Sequence, residues 1–137
     1  LGLGAIGSMI ARLGLDLGMD VVGYDPALSV DAAWRLPSQV QRMENLPSLF
    51  AKADFLTLHV PVLDATRGLV NAEKLNYMKP GACLLNFARE EIVNTQERHF
   101  VSVLRNTLLT QASGAALGRQ LPILAPSLRS FRRCSSV

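Results

Sequence analysis

Cysteine, long apolar runs and a basic N-terminal segment are scarce or absent in this sequence. Its 137 residues include two cysteines, Cys83 and Cys134, too few for a disulfide framework, and Cys83 lies in an apolar run typical of a core position. A transmembrane helix needs a run of about 18 or more apolar residues, and the sequence contains no such run. The N-terminus lacks the basic flank of a signal peptide. These absences predict a soluble protein of a reducing compartment without a membrane partner, and we expect a cytoplasmic location.

Acidic residues are missing from the last part of the chain. Residues 98–137 contain six arginines and no Asp, Glu or Lys, whereas residues 1–97 contain 8 basic and 11 acidic residues, a net charge of −3. Arg, Ser and Leu supply 19 of the last 40 residues, and hydrophobic periodicity fades after about residue 96. The sequence therefore predicts one folded domain over residues 1–97 and a divergent, poorly ordered tail over residues 98–137.

The basic tail raises an interaction hypothesis. An arginine-rich segment can bind nucleic acid. This one has no interleaved aromatic residues and no helical spacing of its arginines, so we expect no nucleic-acid partner and keep a basic interaction module as an alternative. Elsewhere, Trp34 and Tyr77 are isolated aromatic residues, for which packing is favoured over base stacking.

Short helices and strands are predicted to alternate through the first part of the chain. The predicted helices cover residues 6–17, 46–53 and 72–78, and the predicted strands cover residues 20–25, 55–60 and 82–88. The strands are apolar on both faces, which is typical of a parallel sheet covered by helices. The predicted fold class is α/β, and LRNTLLT at residues 104–110 is compatible with a further helix.

A glycine-rich turn opens the chain. Gly2, Gly4 and Gly7 form the spacing G-x-G-x-x-G, an amphipathic helix follows at once, and Asp25 ends the next strand 18 residues after Gly7. In a dinucleotide site the first glycine permits the turn, the second lets the backbone approach a pyrophosphate, and the third lets helix and sheet pack closely. The helix N-terminus attracts phosphates, and Asp25 can accept hydrogen bonds from ribose hydroxyls.

Two further polar residues are predicted at the carboxyl edge of the sheet, where open α/β sheets bind ligands. His59 ends a strand just before Pro61, so it is either part of a ligand wall or a half-buried histidine. Arg89 follows another strand, and its planar guanidinium can hold a carboxylate by two hydrogen bonds. Pairing with Glu90 or Glu91 on the surface is the alternative for Arg89.

Several motifs in order resemble the D-isomer-specific 2-hydroxyacid dehydrogenases, and most of all their phosphoglycerate dehydrogenases, enzymes of serine biosynthesis. These motifs are LGLGAIGS at 1–8, YDP at 24–26, DFLTLHVP at 54–61 and MKPGACLLNFARE at 78–90. The resemblance extends to about residue 96. It implies a Rossmann-like, doubly wound parallel sheet, here incomplete, with the first strand and the C-terminal strands missing.

The resemblance also implies an oxidoreductase that uses NAD, acts on the CH–OH group of a small 2-hydroxy or 2-oxo acid, and forms homo-oligomers as a whole protein. No metal site is implied. Ala5 and Ile6 would contact the pyrophosphate, Asp25 the adenosine ribose, and Arg89 would be the catalytic residue that orients the substrate carboxylate. The implied cofactor-binding residues are Gly2, Gly4, Ala5, Ile6, Gly7, Asp25, His59, Val60, Pro61, Phe87, Ala88 and Arg89.

The chain also departs from the family pattern. Glu90 stands where the family has glycine, and neither the substrate domain that precedes the glycine loop nor the catalytic histidine with its partner glutamate is recognisable. No acidic residue follows Glu97, and His99 is the only later histidine. We therefore expect a fragment of a dehydrogenase, inactive by itself, with a non-catalytic dinucleotide-binding remnant as the alternative. We also expect the residues from about 98 onward to be an out-of-frame or foreign reading.

Overall fold

The computed structural model describes residues 1–96 and the backbone of residues 108–111. Its helices are Ala5–Asp16 (α1), Val30–Arg35 (α2), Leu46–Lys52 (α3) and Ala72–Leu75 (α4), with a 3-10 turn at Glu90–Ile92. Its strands are Val22–Gly23 (β1), Gln41–Arg42 (β2), Phe55–Leu58 (β3), Cys83–Asn86 (β4) and Leu108–Gln111 (β5). The alternation of helix and strand that the sequence predicts is confirmed.

The strands pair in parallel in two groups. β1 pairs with β2, and β4 lies between β3 and β5. Because β4 has a neighbour on each side and helices above it, three of its four residues are buried. This explains why its sequence is a continuous apolar run rather than an alternating one.

Residues 1–3 join the two groups into one arrangement. The Leu1 nitrogen donates to the Thr57 carbonyl oxygen at 2.8 Å, and the His59 N–H donates back to the Leu1 carbonyl oxygen at 2.8 Å. On the other side, the Gly2 N–H donates to the Tyr24 carbonyl oxygen at 3.0 Å. The spatial order is therefore β2, β1, residues 1–3, β3, β4, β5, which is the strand order of the Rossmann fold. The central position that the sequence left without a strand is held by residues 1–3.

The core lies under β3 and β4. Leu49 and Phe50 of α3 and Leu75 of α4 are at most 1% exposed and pack against the buried side chains of the two strands. At about 25 cal/mol per Å² of apolar surface removed from water, such side chains supply most of the stabilisation of this region. Helix α1, in contrast, buries only Gly7 and Ala11 among its residues.

Some predictions from the sequence are wrong or incomplete. β5 lies inside the stretch for which a helix was considered, so a helix is wrong at residues 108–110, and a strand does follow β4. Helix α2 and strand β2 were not predicted. The packing role expected for Trp34 is wrong, because its side chain is 84% exposed, and Tyr77 is 43% exposed. The order expected of the remaining tail lies outside the described residues.

Candidate functional site

The glycine loop is shaped by contacts between backbone atoms. Gly2 has φ +83°, a left-handed conformation, and a Cβ placed there would lie 2.7 Å from the His59 carbonyl oxygen. A Cβ on Gly7 would overlap the carbonyl oxygen of Gly2. These two glycines therefore let the loop pass close to the end of β3 and let α1 start directly against the loop.

Gly4 is different, because a Cβ there would meet nothing within 4 Å. Gly4 is also the N-cap of α1, and it offers no side chain to the first N–H groups of the helix. Helices α2, α3 and α4 each have an N-cap side chain that accepts such a hydrogen bond, from Ser29, Asn45 and Asn71 respectively. The N-terminus of α1, with Ala5 and Ile6 exposed, thus combines unused N–H donors, the positive end of a helix dipole and empty space, which suits a phosphate group.

Asp25 lies directly after β1, beside the glycine loop. Its Oδ2 accepts from the Leu3 N–H at 2.8 Å, and its Oδ1 accepts from the Ala27 N–H at 3.0 Å. These two bonds fix the orientation of the carboxylate and leave each oxygen a further acceptor site. A carboxylate held in this way can accept from a pair of ribose hydroxyls.

His59, Val60 and Pro61 follow β3 at the same edge. The His59 ring Nε2 lies 2.9 Å from the Thr57 hydroxyl oxygen. Burial lowers the pKa of His59 below its usual value of 6.5. The lowered pKa favours the neutral form of the ring, which can line this edge and form hydrogen bonds.

A hydroxyl group holds the connection that follows this wall. The Thr66 side chain donates to the Pro61 carbonyl oxygen at 2.6 Å and accepts from the Leu63 N–H at 2.8 Å. Residues 61–66 are thereby closed into a compact turn, which fixes where Pro61 stands at the edge of the sheet.

Residues 87–89 follow β4 and lie beside residues 59–61. The reason is the parallel register, in which Leu58 pairs with Asn86, so that both connections leave the sheet at the same level. Phe87 is 56% exposed, and Ala88 is partly buried against the core. The carboxyl edge therefore brings together the glycine loop, Asp25 and the two connections, as the sequence predicts.

Arg89 lies at the same edge, three residues after the end of β4. The side chain is exposed, and its Nη1 donates to the Ala88 carbonyl oxygen at 3.3 Å. Within residues 1–96, the one ion pair joins Lys79 and Asp54, at 2.8 Å. The pairing of Arg89 with Glu90 or Glu91, which the sequence left open, is therefore not formed, and no carboxylate of residues 1–96 pairs with the guanidinium.

Other features of the described residues involve none of the predicted site residues. A surface depression of about 550 Å³ is lined by Arg67, Gly68, Glu90, Glu91, Val93, Asn94, Thr95 and Gln96, none of them a predicted site residue. No group of three His, Cys, Asp or Glu side chains in residues 1–96 is arranged to hold a metal ion. In the same part of the chain, no helix has the length and apolarity needed to cross a bilayer.

Sequence reasoning missed three residues that shape the site. Leu3 supplies the N–H that orients Asp25, Thr66 closes the turn after Pro61, and Asn86 holds the connection that carries Arg89. Asn86 alone had a recognisable signal, because an asparagine at the end of a strand favours a turn closed by its own side chain.

Known protein sequences match most of this chain. Residues 1–114 match the family model for the D-isomer specific 2-hydroxyacid dehydrogenase, NAD binding domain. The chain is 41% identical over 132 residues to an (S)-sulfolactate dehydrogenase of Chromohalobacter salexigens, with 94% of this chain and 40% of the relative covered. It is 37% identical over 132 residues to a D-3-phosphoglycerate dehydrogenase of Synechocystis, with 95% of this chain and 22% of the relative covered.

Solved structures of similar fold belong to the same group. A phosphoglycerate oxidoreductase of Vibrio cholerae superposes with a TM-score of 0.68 at 32% identity, over 87% of this chain and 39% of the other. An NAD-complexed D-isomer specific 2-hydroxyacid dehydrogenase of Lactobacillus delbrueckii gives 0.67 at 26% identity, over 82% of this chain and 34% of the other.

These matches correct one expectation and establish the family. The similarity was expected to stop near residue 96 and a foreign reading to begin near residue 98, but the family match continues to residue 114, so this expectation is wrong for residues 98–114. The chain spans 40% and 22% of the two curated relatives it matches. From its strand order, its glycine loop and the family match, the chain belongs to the D-isomer specific 2-hydroxyacid dehydrogenase family, whose NAD binding domain it represents.

Proposed function

We propose that this chain is the dinucleotide-binding part of an NAD-dependent oxidoreductase that acts on the CH–OH group of a D-2-hydroxy acid, similar to phosphoglycerate dehydrogenase. The observation that carries the proposal is the shared carboxyl edge. It brings together the N-terminus of α1 with the open space at Gly4, the oriented carboxylate of Asp25, and Arg89, which has no ion-pair partner within residues 1–96. Each of these groups suits a different part of the reactants.

The adenosine half of NAD fits the side of the edge next to β1. The N–H groups at the start of α1 and the space beside Gly4 suit the pyrophosphate. Asp25 accepts from the ribose hydroxyls, and its negative charge disfavours the 2′-phosphate of NADP. Residues 59–61 and 87–89 then line the other half of the cofactor, across the point where the strand order reverses.

Arg89 is the proposed catalytic residue of this chain. Its guanidinium can hold the carboxylate of a 2-hydroxy acid by two parallel hydrogen bonds and thereby orient C2 of the substrate. When bound, NAD supplies the acceptor for the hydride that leaves C2. Because the pair is planar, the substrate is fixed in rotation as well as in position, which is the part of catalysis that orientation provides.

Proton transfer from the hydroxyl group needs a general acid–base, which typically contributes about 10²–10⁴-fold to the rate. The sequence has no Asp or Glu beyond Glu97 and a single later histidine, His99. We therefore propose that the 137-residue chain by itself binds NAD without turning over substrate. A purely dinucleotide-binding role is the second candidate. Glu90, at the position where the family has glycine, favours it because its negative charge repels a substrate carboxylate that approaches Arg89.

Titration of the full 137-residue chain with NADH and NADPH, followed by nicotinamide fluorescence and calorimetry, tests the proposal. We expect NADH to bind more tightly than NADPH and no oxidation of 3-phosphoglycerate above background. The Lys79→Ala variant is the control, because Lys79 pairs with Asp54 at the opposite edge of the sheet and its loss leaves NADH affinity unchanged. Tighter binding of NADPH, or no binding of either nucleotide, contradicts the proposal.

A further inference from the structure

Asn86 is the one buried polar residue among residues 1–96, with 1% of its surface exposed. Burying an amide costs free energy unless its donor and acceptor both find partners. An apolar side chain of similar size would fill the same space at the end of β4 without this requirement. Packing alone therefore does not explain why a buried amide stands at this position.

Both ends of the Asn86 amide bond to the connection that carries Arg89. Its Oδ1 accepts from the Ala88 N–H at 3.1 Å, and its Nδ2 donates to the Arg89 carbonyl oxygen at 2.8 Å. The same carbonyl oxygen accepts from the Ile92 N–H at 3.2 Å. The backbone of Arg89 is thus held from the strand side by Asn86 and from the other side by the 3-10 turn.

Few contacts within the described residues hold the guanidinium of Arg89 in place. It is exposed, has no carboxylate partner in the described part of the chain, and makes one long bond to the adjacent Ala88 carbonyl oxygen. Its place at the carboxyl edge therefore depends on where its backbone stands, and that depends on Asn86.

We propose that Asn86 is a positioning residue: its buried amide holds residues 87–89 in the conformation that presents Arg89 and lines the second half of the dinucleotide site. This inference rests on the proposed function, because it assumes that a dinucleotide lies along this edge. It predicts an effect confined to one half of the cofactor, since the adenosine half lies next to Asp25, on the other side of residues 1–3.

The test separates the two halves by comparing NADH with ADP, which lacks the nicotinamide ribose and ring. Asn86→Asp keeps the acceptor for Ala88 and loses the donor to Arg89. Asn86→Leu loses both and keeps the approximate volume. Asn45→Ala is the matched control, because it also removes an asparagine oxygen from a backbone N–H, that of Ser48 at 2.9 Å, on the connection after β2.

We expect Asn86→Leu to weaken NADH binding to the full chain about fivefold, the equivalent of roughly one hydrogen bond, with ADP affinity unchanged. In Asn86→Asp a buried carboxylate oxygen faces the Arg89 carbonyl oxygen, so we expect NADH affinity to fall at least as far as in Asn86→Leu. Amide hydrogen exchange gives a second readout: the Ala88 N–H stays protected in Asn86→Asp and exchanges fast in Asn86→Leu. In Asn45→Ala the ratio of NADH to ADP affinity is that of the wild type.

Three outcomes overturn the inference. If NADH and ADP affinity fall together, Asn86 only supports the fold. If Asn86→Leu leaves NADH affinity and Ala88 exchange unchanged, the amide positions nothing. If the wild-type chain binds neither nucleotide, the proposed function is wrong and this inference falls with it, a result distinct from the first two.

Discussion

The glycine loop at residues 2–7 and the connection at residues 86–89 meet at one edge of the sheet but are held by opposite means. In the glycine loop, backbone atoms of Gly2, Gly7 and His59 lie so close that a single methyl group would not fit. In the connection at residues 86–89, the side-chain amide of Asn86 supplies two hydrogen bonds to the backbone. The first region is therefore sensitive to size, and the second is sensitive to hydrogen-bonding chemistry.

Gly7→Ala is the variant for which we expect the largest effect, and it tests whether the glycine loop is sensitive to side-chain size. The new Cβ would overlap the Gly2 carbonyl oxygen, so α1 and the loop must separate, and we expect unfolding to become easier by about 3 kcal/mol. Gly18→Ala is the control: its φ of +77° is strained for alanine, but the space is empty, so we expect a loss of about 1 kcal/mol. Urea denaturation measures both. Equal losses in the two variants would show that overlap with the loop does not matter.

Gly4→Ala separates stability from binding within the same loop. Because a Cβ on Gly4 meets nothing within 4 Å, we expect a change in the free energy of unfolding of less than about 1 kcal/mol. The methyl group would occupy space that a pyrophosphate needs, so NADH affinity should fall about tenfold or more, the equivalent of 1.4 kcal/mol. Calorimetry and denaturation on the same sample give both numbers. Unchanged NADH affinity would remove Gly4 from the binding site.

Asp25→Asn tests the side of the edge that holds the adenosine ribose. The wild-type carboxylate accepts from both Leu3 and Ala27, and an amide has only one oxygen to offer them. We expect the preference for NADH over NADPH to shrink by about tenfold, since the charge that opposes a 2′-phosphate is gone. Competition titrations of the two cofactors measure the ratio. A ratio equal to that of the wild type would show that Asp25 does not select the cofactor.

The smallest expected effect concerns His59 and pH. Burial lowers the pKa of His59 in the folded chain, so between that value and the unfolded value of about 6.5 the unfolded chain binds more protons. Stability from this residue is therefore complete above pH 6.5 and is lost as the pH falls through the lowered pKa. His59→Gln should show a flatter decline in the free energy of unfolding between pH 8 and pH 5 than the wild type. Parallel declines in the two proteins would rule out a contribution from His59.

Elements with strong periodicity or clear boundaries could be predicted closely. α1 was expected at residues 6–17 and is found at Ala5–Asp16, and α3 was expected at residues 46–53 and is found at Leu46–Lys52. The strand expected at residues 82–88 ends at Asn86, two residues early, because the side chain of Asn86 turns the chain there. Strand propensity and apolar spacing do not reveal a hydrogen bond between a side chain and the backbone that ends a strand.

Short elements were missed because their stability comes from neighbours. β2 has two residues, too few for any period, and it forms because Gln41 and Met43 donate to carbonyl oxygens of residues 21 and 23. α2 has no buried residue, so packing against the core does not mark it, although Val30, Ala33 and Trp34 have helical spacing. Ser29 as its N-cap and Asp31 in its first turn are helix-start signals that the sequence also contains.

By itself, the sequence determined the order of α1, β1, α3, β3, α4 and β4, the glycine spacing, the position of Asp25 and the family resemblance through residue 96. These features depend on local spacing, which the linear chain records directly. Only the tertiary structure decided that residues 1–3 lie at the centre of the sheet, that Gly2 and Gly7 are required by packing while Gly4 faces open space, and that Asn86 holds Arg89. These three features depend on distances between residues far apart in the chain or on the direction of a side chain. The pairing of parallel strands fixes those distances and directions.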